Sequence, residues 1–185
     1  MRLAGILGLS TGFTLNCGKR DTTVATPILD QYQADFISSH VSIVMASRSA
    51  GNVPSQARAL GCRVSADRRH VTLILPVIYS ASLLDDLRSG GGIAAVFTRI
   101  TTYETMQLKG PGATIGAPTD EDRAVLQSYG DSFFADLRQI GYTELFSSVV
   151  TRMVREDMVV VKFAPTDAFR QTPGPGAGGR LEAAP

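Results

Sequence analysis

Residues 105–109, Thr105-Met106-Gln107-Leu108-Lys109, alternate hydrogen-bonding side chains with apolar ones. Successive side chains on an extended strand point to opposite faces. The run therefore sets Thr105, Gln107 and Lys109 on one side and Met106 and Leu108 on the other. A hydroxyl, an amide and an ammonium in a row offer donors and acceptors to a polar ligand. The same row also suits a plain solvated sheet face. Arg58 and Arg63 lie in an extended segment upstream, where two cations equally suit a solvated strand edge. Ser80 and Ser82 stand before and within a short helical stretch, where hydroxyls commonly cap backbone N–H groups.

No side chains assemble into a familiar acid–base or nucleophilic set. Gly-x-Ser-x-Gly, His-Glu-x-x-His and the P-loop are all absent from the sequence. The run GPGAGG near the end is broken by proline and follows no strand–helix unit, so it is a poor nucleotide motif. Cys17, Cys62, His40 and His70 lack metal-ligand spacing. Cys62 reads as a small buried residue with no base beside it, and His70 as exposed after a turn.

At 185 residues, with 44% hydrophobic and 19% charged residues, the chain is long enough for one domain with its own core. A formal charge of +1, without a basic block or a basic–aromatic platform, argues against nucleic acid or an anionic membrane as partner. The apolar run in Met1–Cys17 looks like an export signal, but Gly5, Gly8, Ser10, Thr11 and Gly12 interrupt it. It is shorter than the roughly 20 apolar residues that a spanning helix needs. The expectation is a cytoplasmic protein with an N-terminal extension over 1–25, a domain over 26–170 and a Pro/Gly/Ala-rich tail over 171–185. The tail's composition predicts no packed element.

Thr26-Pro27 reads as a helix start, with Ile28, Leu29, Tyr32 and Phe36 on one face. A strand over 41–46, a turn at 49–52, an extended piece over 56–64 and a turn at 66–69 follow. Val71–Leu75, ended by Pro76, has the β-branched content of a central strand and closes a hairpin. Ser82 is expected to cap a helix that buries Leu83, Leu84 and Leu87, and Gly90–Gly92 to stop it. Residues 93–97 pair with 105–109 as strands. Thr119, followed by Asp120, Glu121 and Asp122, opens a longer helix through Leu137. Gly141 breaks it, a short helix runs from Thr143 to Val150, and a strand over 158–163 comes last. The pattern is α+β: an antiparallel barrel with flanking helices.

This order, with VPSQARALGCRVSADRRHVTLILP, then GGGIAAVFTRITTYETMQLKG, and the ending DAFRQTPGPGAGGRL, resembles the pyridoxamine-phosphate-oxidase-like family over about residues 27–181. The resemblance implies a split β-barrel of the FMN-binding type and a homodimer with an FMN cleft at each of two places on the subunit interface. It also implies a small-molecule substrate. The flavin ring would lie near Arg58 and Arg63 of one subunit, with Thr105, Gln107 and Lys109 offered by the partner. Its phosphate would approach the stretch holding Ser80 and Ser82. Family members often carry a Ser-Arg-Lys cluster there; this chain has Tyr79-Ser80-Ala81-Ser82. Glu104 stands where a basic residue is expected, so oxidation of vitamin B6 phosphates is not. The readings that follow are an FMN-dependent oxidoreductase, a non-catalytic binder of flavin, deazaflavin, haem or another planar group, and a structural dimer without a site.

Overall fold

The computed structural model describes residues 28–147 and 157–182. Among the described residues, helices α1 (Gln31–Ser38), α2 (Ala81–Arg88) and α3 (Asp120–Gln139) are set among nine strands. These are β1 (Ser42–Arg48), β2 (Pro54–Ala59), β3 (Cys62–Val64), β4 (Val71–Pro76), β5 (Ile93–Thr98), β6 (Thr105–Gly110), β7 (Thr114–Gly116), β8 (Met158–Phe163) and β9 (Asp167–Arg170). One sheet has the order β2-β1-β5-β6-β9 and the other β3-β4-β8-β7, every pairing antiparallel. Among the described residues the sheets remain two, and no closed barrel forms. The expected α+β class, antiparallel strands with flanking helices, is present.

The extended segment 56–64 divides at Leu60-Gly61, and this division separates the sheets. The Leu60 N–H donates to the Ile74 carbonyl at 2.8 Å, and the Ile74 N–H donates to the Gly61 carbonyl at 3.0 Å. A Cβ on Gly61 would stand 3.0 Å from Ile74 Cδ1 and 3.2 Å from Val125 Cγ1, so the crossing favours a residue without one. Before the crossing the chain pairs with β1; after it, with β4.

The inner faces of the two sheets meet in one core. Ile43, Met45, Phe97, Met106 and Leu108 come from the five-stranded sheet, and Val71, Leu73, Leu75, Val161 and Phe163 from the four-stranded one. Alternation on β6 is as the sequence predicts, with Met106 and Leu108 buried. On α2, Leu83, Leu84 and Leu87 are buried as expected. Its N-cap, however, is Ser80, whose hydroxyl donates back to the Pro76 carbonyl at 2.7 Å rather than capping the helix. Ser82 lies exposed in the first turn.

Helix α1 starts later than Thr26-Pro27, which lie outside the described residues. Asp30 is its N-cap, in a capping box with Gln33. Tyr32 points to solvent rather than to the core, and Gln33, Ala34, Phe36 and Ile37 form the buried face. Thr119 caps α3 as expected, with Asp122 closing the box, and Tyr129, Phe133 and Leu137 are buried. A helical segment after Thr143 is present over residues 144–147; its expected continuation to Val150 lies outside the described residues.

The tail departs from expectation. The Arg170 N–H donates to the Gly179 carbonyl, the Gly178 N–H to the Arg170 carbonyl and the Leu181 N–H to the Ala168 carbonyl. Arg180 bridges Phe169 and ion-pairs with Asp167 at 2.5 Å, while Leu181 packs against the core. Backbone pairing needs no side-chain periodicity, so composition could not announce it.

Gly91 occupies a closed corner. A Cβ there would meet the Arg48 carbonyl and Ser47 Oγ at 2.7 Å and the Asp86 carbonyl at 2.8 Å. Gly130, inside α3, has open space around it. Thermal unfolding is expected to show Gly91→Ala destabilised by about 1–3 kcal/mol. Gly130→Ala should be stabilised by about 0.5–1 kcal/mol, since alanine loses less backbone entropy in a helix. Equal melting temperatures for the two variants would contradict this packing.

Candidate functional site

The outer face of the five-stranded sheet carries a cross-strand row. Arg58 lies opposite Val44, Val44 opposite Val96, Val96 opposite Gln107, and Gln107 opposite Phe169. A second row runs Gln56, Ala46, Ala94, Lys109, Asp167. Small and branched apolar residues thus make a floor with polar groups at either side. Val44, at the middle, is 41% exposed.

Arg58 is the notable member. Its Nε and Nη2 are buried and have no hydrogen-bond partner. The guanidinium carbon lies 4.8 Å from the Phe133 ring centroid, a cation–π contact, and the group also acts on the Tyr129 hydroxyl through a side-chain hydrogen bond. Tyr129 stands beside it, stacked on Phe133 at 5.5 Å and donating to the Val41 carbonyl at 2.9 Å. Burial pushes the Tyr129 phenol up to about 12, against the lowering influence of Arg58. Buried polar groups are satisfied in the great majority of cases, so two unpaired guanidinium nitrogens are unusual.

Arg63, five residues on, has a different fate. Its Nε donates to Asp122 Oδ1 at 2.8 Å and its Nη1 to Glu121 Oε2 at 2.7 Å, tying β3 to the first turn of α3. Burial would raise the Asp122 carboxyl, but Arg63 and the Thr119 N–H and hydroxyl outweigh it and hold the group below its ordinary value. The Arg63 guanidinium is committed to this bracing.

The remaining predicted residues divide. Gln107 accepts from the Gln171 side chain at 3.3 Å, and Lys109 Nζ lies 4.8 Å from the Phe169 ring centroid. Thr105 shares a hydroxyl contact with Thr98 at 3.1 Å and donates to the Tyr103 carbonyl. The Ser80 hydroxyl is used by Pro76, as described above. The structure brings Thr105, Gln107 and Lys109 onto one face with Arg58, and sends Arg63 to the other sheet. With strands about 4.8 Å apart, Arg58 and Gln107 sit three spacings, roughly 14 Å, from each other. One small ring cannot touch both in the same chain. Sequence reasoning missed Phe169 and Gln171 as neighbours of this row, because β9 gave only a four-residue alternation.

Cys62 is fully buried and its thiol is pushed far up by burial, so it is inert as a nucleophile. His70 is half-buried rather than exposed. Among the described residues no cluster of His, Cys, Asp and Glu could hold a metal, and no helix is long and apolar enough to cross a membrane.

Two antiparallel sheets around one core with few helices fit the fold expected of a split barrel. A solved structure with a TM-score of 0.51 at 12% identity covers 82% of this chain and 88% of its own. A candidate pyridoxamine 5'-phosphate oxidase of Lactobacillus delbrueckii has a TM-score of 0.48 at 12% identity, covering 79% of this chain and 97% of that one. HutZ, a haem storage protein of Vibrio cholerae, has a TM-score of 0.43 at 10% identity, covering 74% and 89%. At these identities the likeness concerns the fold alone. No family model and no curated protein matches the sequence.

The Asp122 carboxylate stabilises the fold in its charged form. Its native-state value lies below the unfolded one, so the contribution is present above about pH 4 and is lost as pH falls through the lower value. Asp122→Asn should lose about 1–3 kcal/mol at pH 7. Its melting temperature should approach that of the unmodified chain below about pH 4. A gap that stays constant from pH 7 to pH 3 would contradict the ion pair.

Proposed function

We propose that this chain is a cofactor-binding split-barrel protein, an FMN-dependent oxidoreductase working as a homodimer. The observation that carries the proposal is the Arg58 guanidinium, with two buried nitrogens unpaired beside an open sheet face. Nitrogens in that state suit a negatively charged group, such as a phosphate or an electron-rich ring edge. The polar row at the other side supports a two-subunit cleft. Arg58 and Gln107 lie too far apart to share a ring in one chain, but a two-fold axis can bring Arg58 of one protomer near Gln107 of its partner. The apolar floor at Val44, Ala46, Ala94 and Val96 is the surface such a partner would cover.

FMN, once bound, would supply two-electron transfer, so this reading asks for no acid–base pair of side chains. Arg58 would hold the anionic portion, and Gln107 would orient the ring through its amide. Thr105 and Lys109 would border it. Ser82 and the first-turn N–H groups of α2 are the donors left near the phosphate, because the Ser80 hydroxyl is already bonded. The substrate is a small molecule other than a vitamin B6 phosphate.

A second reading, non-catalytic binding of flavin, deazaflavin, haem or another planar group, draws on the same donor set. With Arg63 held by Asp122 and Glu121, a phosphate has fewer cations than an FMN site commonly offers. Turnover with NADH or NADPH distinguishes the two.

The purified protein is expected to carry a flavin absorbance spectrum, or to quench FMN fluorescence on titration. Arg58→Ala should weaken binding about 10- to 100-fold, the worth of one charge-assisted hydrogen bond or two. Light scattering should give twice the chain mass. A colourless monomer with no affinity for FMN would end this reading.

A further inference from the structure

The geometry points to a second ligand site, at the start of β6 beside Met106 and away from Gln107 and Lys109, that takes a small zwitterion of the α-amino-acid type with an apolar side chain. It does not depend on the flavin proposal. A cavity of about 500 Å³ opens between the start of α1, the start of β6 and the folded-back tail. Ligand pockets for small molecules commonly fall between 300 and 1,000 Å³, so the size is suitable. Register fixes its side: Met106 lies opposite Arg170, on the face turned away from Gln107 and Phe169.

The charges are arranged for both ends of a zwitterion. Phe36 and Met106, each at most 6% exposed, give an apolar floor. Glu104 and Asp30 line the cavity together with Arg170. The Tyr32 hydroxyl donates to Glu104 Oε1 at 2.5 Å and fixes that carboxylate across 72 residues of sequence. The Gln33 N–H takes up Asp30 Oδ1. Among the described residues the second oxygens of both carboxylates have no hydrogen bond, which suits an ammonium. Among the described residues Arg170 has no ion pair, and its planar fork suits a carboxylate. The tail supplies Leu181 and Thr172 as the last wall, and Thr172 Oγ1 accepts from the Thr105 N–H at 3.0 Å.

Calorimetric titration of the full chain with L-phenylalanine, 2-phenylethylamine and 3-phenylpropionate tests the site. L-phenylalanine is expected to bind, with either half-molecule at least tenfold weaker. Arg170→Ala and Glu104→Gln, both at the rim, should each weaken L-phenylalanine about tenfold. Neither should shift the melting temperature of the unliganded chain by more than about 2 °C. Tyr32→Phe should weaken it less, since the carboxylate stays but loses its anchor. No heat with L-phenylalanine at millimolar concentration would overturn the proposal. Equal affinity for 2-phenylethylamine would overturn the role given to Arg170, and unchanged binding in both rim variants would place the ligand elsewhere.

Discussion

Two backbone hydrogen bonds between Leu60, Gly61 and Ile74 govern the rest of the molecule. They carry one extended segment out of the five-stranded sheet and into the four-stranded one, so that two sheets share a core without fusing. Arg58 and Arg63, five residues apart, fall on either side of this crossing. One is laid along Phe133 with nitrogens idle; the other is fastened to the start of α3. A straight strand would have kept them in one sheet, with comparable surroundings. The crossing leaves one arginine packed against an aromatic ring with two nitrogens unpaired and ties the other to a helix end.

Helix α3 takes part in both outcomes. Its first turn receives Arg63 through Glu121 and Asp122, and its middle presents Tyr129 and Phe133 to Arg58. Asp122 serves its own helix end and a strand together, because its two oxygens answer different partners: Oδ2 the Thr119 N–H and hydroxyl, Oδ1 the guanidinium. That coupling sets the height of α3 against β3, and so the position of the aromatic pair beside the open sheet face.

The local signals in the sequence were mostly readable. The leucines of α2, the Thr119 box, the alternation of β6 and the last long strand all follow from short-range periodicity and capping. What escaped depends on partners distant in the chain. Asp122 is 59 residues from Arg63, and no pattern around either one names the other. The start of α1 was displaced because Thr26-Pro27 offered a stronger cue than Asp30, whose box needs Gln33 at its third position. The resemblance points to Arg58 by position alone; its surroundings come from Tyr129 and Phe133, more than 70 positions away. β9 and the tail beyond it pair through main-chain groups, to which composition is blind.

The returning tail has an effect on the whole sheet. A terminal strand normally offers a line of free N–H and C=O groups to any passing chain. Here Arg170 and Ala168 already exchange bonds with residues 178–181, so the exposed side of β9 is filled by its own polypeptide. At the far border, β2 opens on Pro54, which lacks a donor. Both margins are thereby blunted against uncontrolled strand-by-strand aggregation, and the broad face between them is left as the surface on which association can be selective.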